Sequence, residues 1–304
     1  RRRIGFDPKR AYHFGKCRRS NSRDIHSGGK RFFVRIEGSW IKRKTQSCIM
    51  KKSIWSPSLL IILLASFCSF SALAEARSID LTKSKNLMLH NAVVKTEIFK
   101  GKSGIKAEIS KEAKKAKEHL AEAQRQRQAG GANRGPGASE ANRIDHLIVV
   151  DKDFHNGTIE LEMAGQPVPG SSGGARGFVG IAFRANPEEG NYDCFYLRPT
   201  NGRSADQERR NHSAQYISHP EYPWFRLRKE TPSKYEAYVD LAPAEWTKVK
   251  VVVDGEKARL YVHGSDHPTL VVNDLKSGAE GFGAVALWFE GSTVARYANL
   301  KITE

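Results

Sequence analysis

Apolar and polar residues alternate over many short stretches of this chain. In TIELEMAG (158–165), apolar side chains alternate with Glu160 and Glu162, which is typical of an antiparallel strand with one solvated face. An Asp-Gly pair at 254–255 separates two such stretches and predicts a hairpin. Similar stretches lie at 93–110 (two strands), 145–150, 178–184, 192–199, 235–241, 246–255, 258–264, 269–275, 283–290 and 295–302. This many short strands predicts an all-β sandwich of the jelly-roll type.

One segment departs from this alternation. KEAKKAKEHLAEAQRQRQ (111–128) has no β-branched residue and is rich in Ala, Lys, Glu and Gln, which predicts a helix with little apolar surface to bury. AGGANRGPGASEANR (129–143) follows and has the composition of a linker. We therefore expect a solvated helical and low-complexity insertion at about 111–143, with a partner-binding role for the charged helix as the open alternative.

The positive charge is concentrated in the first quarter of the chain. The formal net charge is +17, but residues 1–74 hold 17 Lys and Arg against 3 acids, whereas residues 75–304 hold 33 against 30. The main part is therefore nearly neutral at +3. Because nucleic-acid binding usually requires a basic domain, we expect no nucleic-acid partner.

Residues 50–74 have the composition of a secretory signal peptide. Met50 is followed by two lysines, an apolar run and the small-residue site at Ala72–Ala74. We expect cleavage after Ala74, export to the periplasm or the extracellular space, and no stable membrane anchor afterwards. Residues 1–49 are then interpreted as translated upstream sequence; the alternative is a genuine basic extension, with the apolar run as an anchor. Cys194 is the one cysteine of the remaining chain, and we expect it to be a buried strand residue.

Several segments of residues 78–304 resemble the concanavalin A-like lectin/glucanase superfamily. They are ARGFVGIAFR (175–184), YDCFYLRPTNGR (192–203), RRNHSAQYISHPEYPWFRLR (209–228), YEAYVDLAPAEWTKVKVVVDGEKARLYVHG (235–264) and GAVALWFEGSTVARYANLKI (283–302). The resemblance is strongest to secreted bacterial proteins of that class, with laminin-G-like and 3-keto-glycoside-hydrolase domains as relatives. It implies a concanavalin A-like jelly-roll β-sandwich over 75–304, with a ligand groove on the concave face of one sheet. The same fold hosts lectins and hydrolases.

The connector between the strands at 192–199 and 235–241 is the candidate binding region. It reads as a loop of about 35 residues (200–234), a length more typical of functional loops than of simple links. Aromatic faces stack on sugar rings and planar polar groups hydrogen-bond their hydroxyls, and this region supplies both. The candidate platforms also include Tyr222 and Tyr235. The candidate ligand-binding residues are Tyr196, Arg198, Asn201, Arg203, Arg210, Asn211, His212, Gln215, Tyr216, His219, Trp224 and Arg226. Tyr196 and Arg198 are expected to face outward from their strand, with Phe195 and Leu197 inward.

The predicted function is therefore an exported carbohydrate-binding, lectin-like module, with an acidic sugar as one option for its ligand. One alternative is a glycoside hydrolase or a 3-keto-glycoside hydrolase on the same surface, with His212 or His219 as the base. Glu160 and Glu162 match only part of the Glu-x-Asp-x-x-Glu strand of family 16 glycosidases, since the third acid is absent. A further alternative is a structural or interaction module, in which the connector's polar side chains satisfy its own backbone.

The sequence gives no clear signal for a cofactor or a metal. His212 and His219 have no ligand partners at metal-binding spacing. A structural Ca²⁺ is the one weakly indicated ion, because DKDFHNG (151–157) places Asp151, Asp153 and Asn156 in a predicted turn.

Overall fold

The computed structural model describes residues 76–129, 143–171 and 173–304. The interpretations of residues 1–49 as upstream sequence and of 50–74 as a signal peptide lie outside the described residues, as does most of the predicted linker at 129–143. Within the described ranges, no helix is both long enough and apolar enough to cross a membrane.

The described residues form two antiparallel sheets. The eight-stranded sheet contains β1 (Arg77–Ile79), β3 (Ala92–Phe99), β4 (Lys102–Ile109), β6 (Gly157–Pro167), β11 (Thr247–Asp254), β12 (Lys257–Val262), β13 (Leu270–Val272) and β15 (Thr293–Thr303). The seven-stranded sheet contains β2 (Met88–His90), β5 (Leu147–Phe154), β7 (Val179–Asn186), β8 (Asn191–Leu197), β9 (Ala214–His219), β10 (Glu236–Ala237) and β14 (Gly283–Phe289). The helices are α1 (Lys111–Ala129), α2 (Gln207–Asn211) and α3 (Trp224–Glu230), with a 3-10 turn at Ser84–Asn86.

The strand order shows that the chain crosses repeatedly between the sheets. It is β13-β12-β11-β6-β15-β4-β3 in the eight-stranded sheet, where β1 also pairs with β15, and β10-β9-β8-β7-β14-β5-β2 in the other. Consecutive strands β5 and β6 lie in different sheets, as do β14 and β15. The predicted all-β jelly-roll sandwich is thus confirmed.

The eight-stranded sheet keeps the alternation seen in the sequence. On β6, Ile159 and Leu161 are buried, while Glu160 and Glu162 face lysines of the neighbouring strand β11. Glu162 accepts hydrogen bonds of 2.6 Å from Lys102 and Asn299. Although partial burial alone would raise it, these two donors hold the pKa of Glu162 below its ordinary value. The two glutamates therefore belong to a charged outer surface.

The seven-stranded sheet is buried on both faces, which explains its continuous apolar runs. Nearly every residue of β7, β8, β9 and β14 is buried. Val179 approaches Gly165 of the opposite sheet, so its face of β7 and the paired Phe195 face of β8 form the core between the sheets. On the other face, α3 packs against β9 and loops surround the side chains of the sheet.

The prediction of a 35-residue loop at 200–234 was wrong. The segment contains α2, β9 and α3, and β9 pairs with both β8 and β10 inside the sheet. β9 was missed because Gln215, Ser218 and His219 give it a polar sequence, although all three are buried. Asp206 caps α2 by accepting hydrogen bonds from the backbone amides of residues 208 and 209. The predicted strand at 235–241 is also corrected, since only Glu236–Ala237 pairs.

Helix α1 matches its predicted extent of 111–128 to within one residue. Its first turn is capped by the Ser110 hydroxyl, which accepts from the Ala113 amide at 3.1 Å. Most of its described side chains are exposed, but Ala113 is buried and Lys117 pairs with Glu290 of the sandwich at 2.6 Å. The helix is therefore attached to the sandwich along one narrow strip.

A buried arginine joins three loops at one end of the sandwich. Arg184 is only 4% exposed and has a positive φ of 49°, which few non-glycine residues adopt. Its guanidinium donates to His155 O, Asn156 Oδ1, Gly255 O, Ser277 Oγ and Gly278 O. The proposed Ca²⁺ turn is corrected by this arrangement, because Asp151 and Asp153 lie within β5 and the Asn156 oxygen is already used.

We expect Arg184→Lys to destabilise the protein by roughly 3 kcal/mol, because one ammonium cannot reach five acceptors and several buried groups lose their partners. Urea denaturation measures the change. Arg203→Lys is the matched control, since Arg203 is exposed and pairs only with Asp240, and it is expected to leave stability nearly unchanged. Equal stability of the two variants would contradict this role of Arg184.

Candidate functional site

A cavity of about 610 Å³ lies on the outer face of the seven-stranded sheet. We call it the groove. Its floor includes Tyr196 of β8, Trp288 of β14, and Ile217 and His219 of β9. Its walls come from α3, from residues 143–146 and from the 173–178 loop. Residues 198–212, between β8 and β9, and Lys117 of α1 complete them. Its volume is in the range typical of small-ligand sites.

Two aromatic rings form the centre of the floor. The ring centroids of Tyr196 and Trp288 lie 5.0 Å apart. Gly180 pairs with Tyr196 across the sheet, and a Cβ there would come within 2.6 Å of the tyrosine Cβ, so the close approach requires glycine. Burial raises the pKa of Tyr196 to about 12. Its hydroxyl is thus protonated at neutral pH, and it accepts a 2.8 Å hydrogen bond from Arg198.

A third aromatic residue lies at the rim. Trp224 begins α3 and is 44% exposed, and the guanidinium of Arg228 lies over its ring at 4.7 Å. Such a cation–π contact fixes the orientation of an exposed ring. The groove therefore has a buried aromatic floor and an accessible aromatic edge.

The buried carboxylate of Glu236 fixes α3 and the connector. It accepts two hydrogen bonds from Arg228, and its Oε1 lies 3.7 Å from Arg198 Nη1. His212 Nδ1 is 3.0 Å from Glu236 Oε2, but neither ring nitrogen is aligned for a hydrogen bond. Burial, together with Arg228 and Arg198, lowers the pKa of His212 despite Glu236. His212 is accordingly neutral at pH 7.

The groove carries an excess of positive charge. The cationic residues lining it are Lys117, Arg143, Arg176, Arg198, Arg209 and Arg228, against the acids Asp145 and Glu290. Both acids are already engaged. Asp145 accepts two hydrogen bonds from Arg143. Although burial alone would raise it, Lys117 and Ser292 hold the pKa of Glu290 below its ordinary value.

The structure brings half of the twelve candidate residues to the groove. Those lining it are Tyr196, Arg198, Asn201, His212, His219 and Trp224. As expected from strand alternation, Tyr196 faces the groove, whereas Phe195 packs against Phe183 and Tyr216 in the core.

The other six candidates lie elsewhere. Tyr216 points into the core, where its hydroxyl donates to Asp193 at 2.6 Å. Gln215 is fully buried and donates to the backbone carbonyls of residues 216 and 235. The residues held at the surface by other contacts are Arg203 (to Asp240), Arg210 (to Tyr238), Asn211 (to Gln207) and Arg226 (to Glu230). Neither Tyr222 nor Tyr235 lines the groove. These placements arise because β9 and two helices, rather than a loop, form the connector.

Several groove residues lie outside the region that the sequence indicated. Trp288 comes from β14 and Arg176 from the 173–178 loop. Arg209 and Arg228 lie in the connector but were not singled out, because nothing in the sequence separates them from neighbouring arginines. Lys117 lies in α1 and residues 143–146 precede β5, and both line the groove through tertiary packing.

No group of three or more His, Cys, Asp or Glu side chains suited to hold a metal ion occurs among the residues that the structure describes. Cys194 is buried, and burial raises its pKa well above the ordinary value.

No protein-family model matches the sequence. No curated protein matches it either. Among solved structures, the chain is similar to the carbohydrate-binding module CBM66 from Bacillus subtilis, with 11% identity over 72% of this chain and 96% of that one and a TM-score of 0.43. It is also similar to a Bacillus subtilis protein of unknown function with a galectin-like fold (10% identity, 75% and 94% coverage, TM-score 0.44). A third is domain 4 of AbnA, a GH43 extracellular arabinanase from Geobacillus stearothermophilus, in complex with arabinotriose (13%, 76% and 93%, TM-score 0.37). These similarities concern architecture and assign no ligand to this chain.

We expect the folded protein to become less stable as the pH falls, because His146 in the groove wall then takes up a proton. Burial and Lys117 lower the pKa of His146 to about 4, against the opposing effect of Glu290 and Asp145. The unfolded chain binds this proton near pH 6.5 and the folded chain only near pH 4. The stability contributed by neutral His146 is thus present above pH 6.5 and is lost towards pH 4, by roughly 3 kcal/mol in total.

The measurement is urea denaturation at pH 7.5 and at pH 4.5, for the wild type and for His146→Gln. The variant should lose less stability over this interval than the wild type, because Gln does not titrate. An identical loss in both proteins would show that His146 is not the titrating group.

Proposed function

We propose that this protein is an exported carbohydrate-binding module whose sugar site is the groove. The observation that carries this proposal is the floor formed by Tyr196 and Trp288, bordered by Trp224 and by fixed polar side chains. Sugar recognition needs an apolar ring face next to a few oriented hydrogen-bonding groups. In the groove, Trp224 supplies the accessible ring face, because it is 44% exposed whereas Tyr196 and Trp288 are 3% and 9% exposed. Fixed polar side chains line the same cavity.

The polar groups around the floor have spare hydrogen-bonding capacity. The Asn201 side-chain oxygen and the Nε2 atom of His212 are buried without a hydrogen-bond partner among the described residues. Buried polar atoms are normally satisfied, and sugar hydroxyls can both donate and accept. The cationic excess of the lining further favours an acidic sugar over a neutral one.

A second candidate function is a glycoside hydrolase or 3-keto-glycoside hydrolase in the same groove. The observation that favours it is the neutral His212 beside the buried Glu236, since a neutral histidine can act as a general base. A two-carboxylate mechanism needs one carboxyl group that stays protonated as the general acid. The groove's two acids, Asp145 and Glu290, are instead each paired with a cation. We therefore rank binding first.

Binding to a glycan should depend on the exposed ring of Trp224. Purified protein would be screened against immobilised laminarin, arabinan, xylan, polygalacturonate and alginate, and affinities measured by calorimetry. Trp224→Ala should weaken binding about 10-fold through lost stacking. Tyr238→Ala is the matched control, because Tyr238 is also 44% exposed but does not line the groove, and it should bind like the wild type.

Two outcomes would change the assignment. Absence of binding to every glycan would favour the structural or interaction module. Release of new reducing ends from a bound glycan, abolished by His212→Ala in a folded protein, would favour the hydrolase.

Export would be tested by expressing the chain from Met50 to Glu304 in a bacterial host and measuring the mass of the product in the periplasm and medium. We expect a mass beginning at residue 75, because the small-residue site ends at Ala74. Replacing Ala72 and Ala74 with Gln should block this cleavage, whereas Ser69→Gln should not. Unprocessed protein confined to the cytoplasm would refute export.

A further inference from the structure

We propose that Arg176 and Arg209 form an anion subsite in the groove that binds the carboxylate of a uronic acid residue. This inference rests on the proposed carbohydrate-binding function and adds the chemical class of the sugar. It depends on which of the groove's cations are already neutralised within the protein.

Among the described residues, none is a side-chain partner of Arg209. It lies in α2, half-buried, and its side chain makes no hydrogen bond and no ion pair with the described residues; its Nε is fully buried. The nearby carboxylate of Asp206 is used to cap α2. A buried guanidinium N–H that lacks an acceptor is uncommon in folded proteins, and a ligand oxygen would supply that acceptor.

Arg176 is the second cation of the subsite. Its side chain donates only to the carbonyls of Gly173 and Ala175 in its own loop, and no carboxylate of the described residues pairs with it. Arg176, Arg209 and Arg198 line the same cavity. Burial and the charges of Arg209 and Arg198 lower the pKa of Arg176, so the Arg176 guanidinium is repelled by the other two. An anion bound among them would relieve this repulsion.

The remaining cations of the groove are less available. Arg143 and Lys117 are paired with the groove's own acids, and Arg228 with Glu236. The positive potential that remains for a ligand is therefore concentrated at Arg176 and Arg209.

The position of the subsite favours a carboxylate carried by a sugar ring. Arg198 lies over the ring of Tyr196 at 4.9 Å and beside Phe178 at 5.8 Å. Arg176 and Arg209 line the same cavity as these residues, so a sugar bound above the Tyr196–Trp288 floor would lie beside them. Guanidinium groups bind planar carboxylates through paired hydrogen bonds. A sulfate ester shares the negative charge, so the experiment must separate these two sources.

The test compares acidic polymers with their own neutral forms. Polygalacturonate and alginate would be used as such and after carbodiimide-mediated reduction of their carboxylates to alcohols, with dextran sulfate as the sulfate arm. The wild type should bind one of the uronates at least about 10-fold more tightly than its reduced form, and this preference should shrink at high salt.

Arg209→Gln and Arg176→Gln should each remove most of this preference, because affinity for the acidic polymer should fall much more than affinity for its reduced form. Arg226→Gln is the matched control, because Arg226 lies on neighbouring α3 but pairs with Glu230 outside the groove. Thermal melting verifies that each variant is folded.

The outcomes separate the subsite from the proposed function. Binding to reduced and acidic polymers with equal affinity, or an unchanged preference in both variants, would overturn the anion subsite and leave the sugar site standing. Tighter binding to dextran sulfate than to either uronate would overturn the carboxylate assignment in favour of sulfate. If the wild type bound none of the polymers, both proposals would be overturned.

Discussion

The ion pairs of Glu236 are the interaction on which the groove depends. β10 is only two residues long, yet its pairing with β9 places this carboxylate at a buried position opposite Gln215. A charge there is tolerated because Arg228 and Arg198 compensate it. Arg228 belongs to α3 and Arg198 follows β8, so one carboxylate fixes a wall of the groove, its floor and the connector between them. An uncharged residue at 236 would leave Arg198 and Arg228 without this carboxylate partner.

Two arginines, Arg184 and Arg209, show the difference between a structural residue and a candidate ligand-binding residue. Arg184 uses its donors within the protein and joins three loops that are far apart along the chain. Arg209 lies in the groove with no partner among the described residues. The two residues look alike in the sequence. What distinguishes them is whether the surrounding backbone supplies acceptors, and for that reason Arg209 marks the place for a ligand anion.

Sequence reasoning succeeded for elements whose pattern is local. The alternation in 158–165 marks β6 because that strand has one solvated face, and the Ala-, Lys- and Glu-rich composition of 111–128 marks α1. It failed for β9, since a strand buried on both faces need not alternate, and Gln215 and His219 are tolerated there through contacts made by distant residues. For the same reason Tyr216 was grouped with the groove although it packs in the core, and Trp288 was overlooked although it forms the floor.

The sequence by itself determined the fold class, the extent of α1, the outward direction of Tyr196 and the region in which ligand-directed side chains are enriched. These follow from short-range periodicity and composition. The tertiary structure alone decided which arginines and aromatic rings meet, because the groove joins β8, β9, β14, α2, α3 and the 173–178 loop. Strand pairing brings these segments together across long stretches of chain, and no local pattern of residues encodes such pairing.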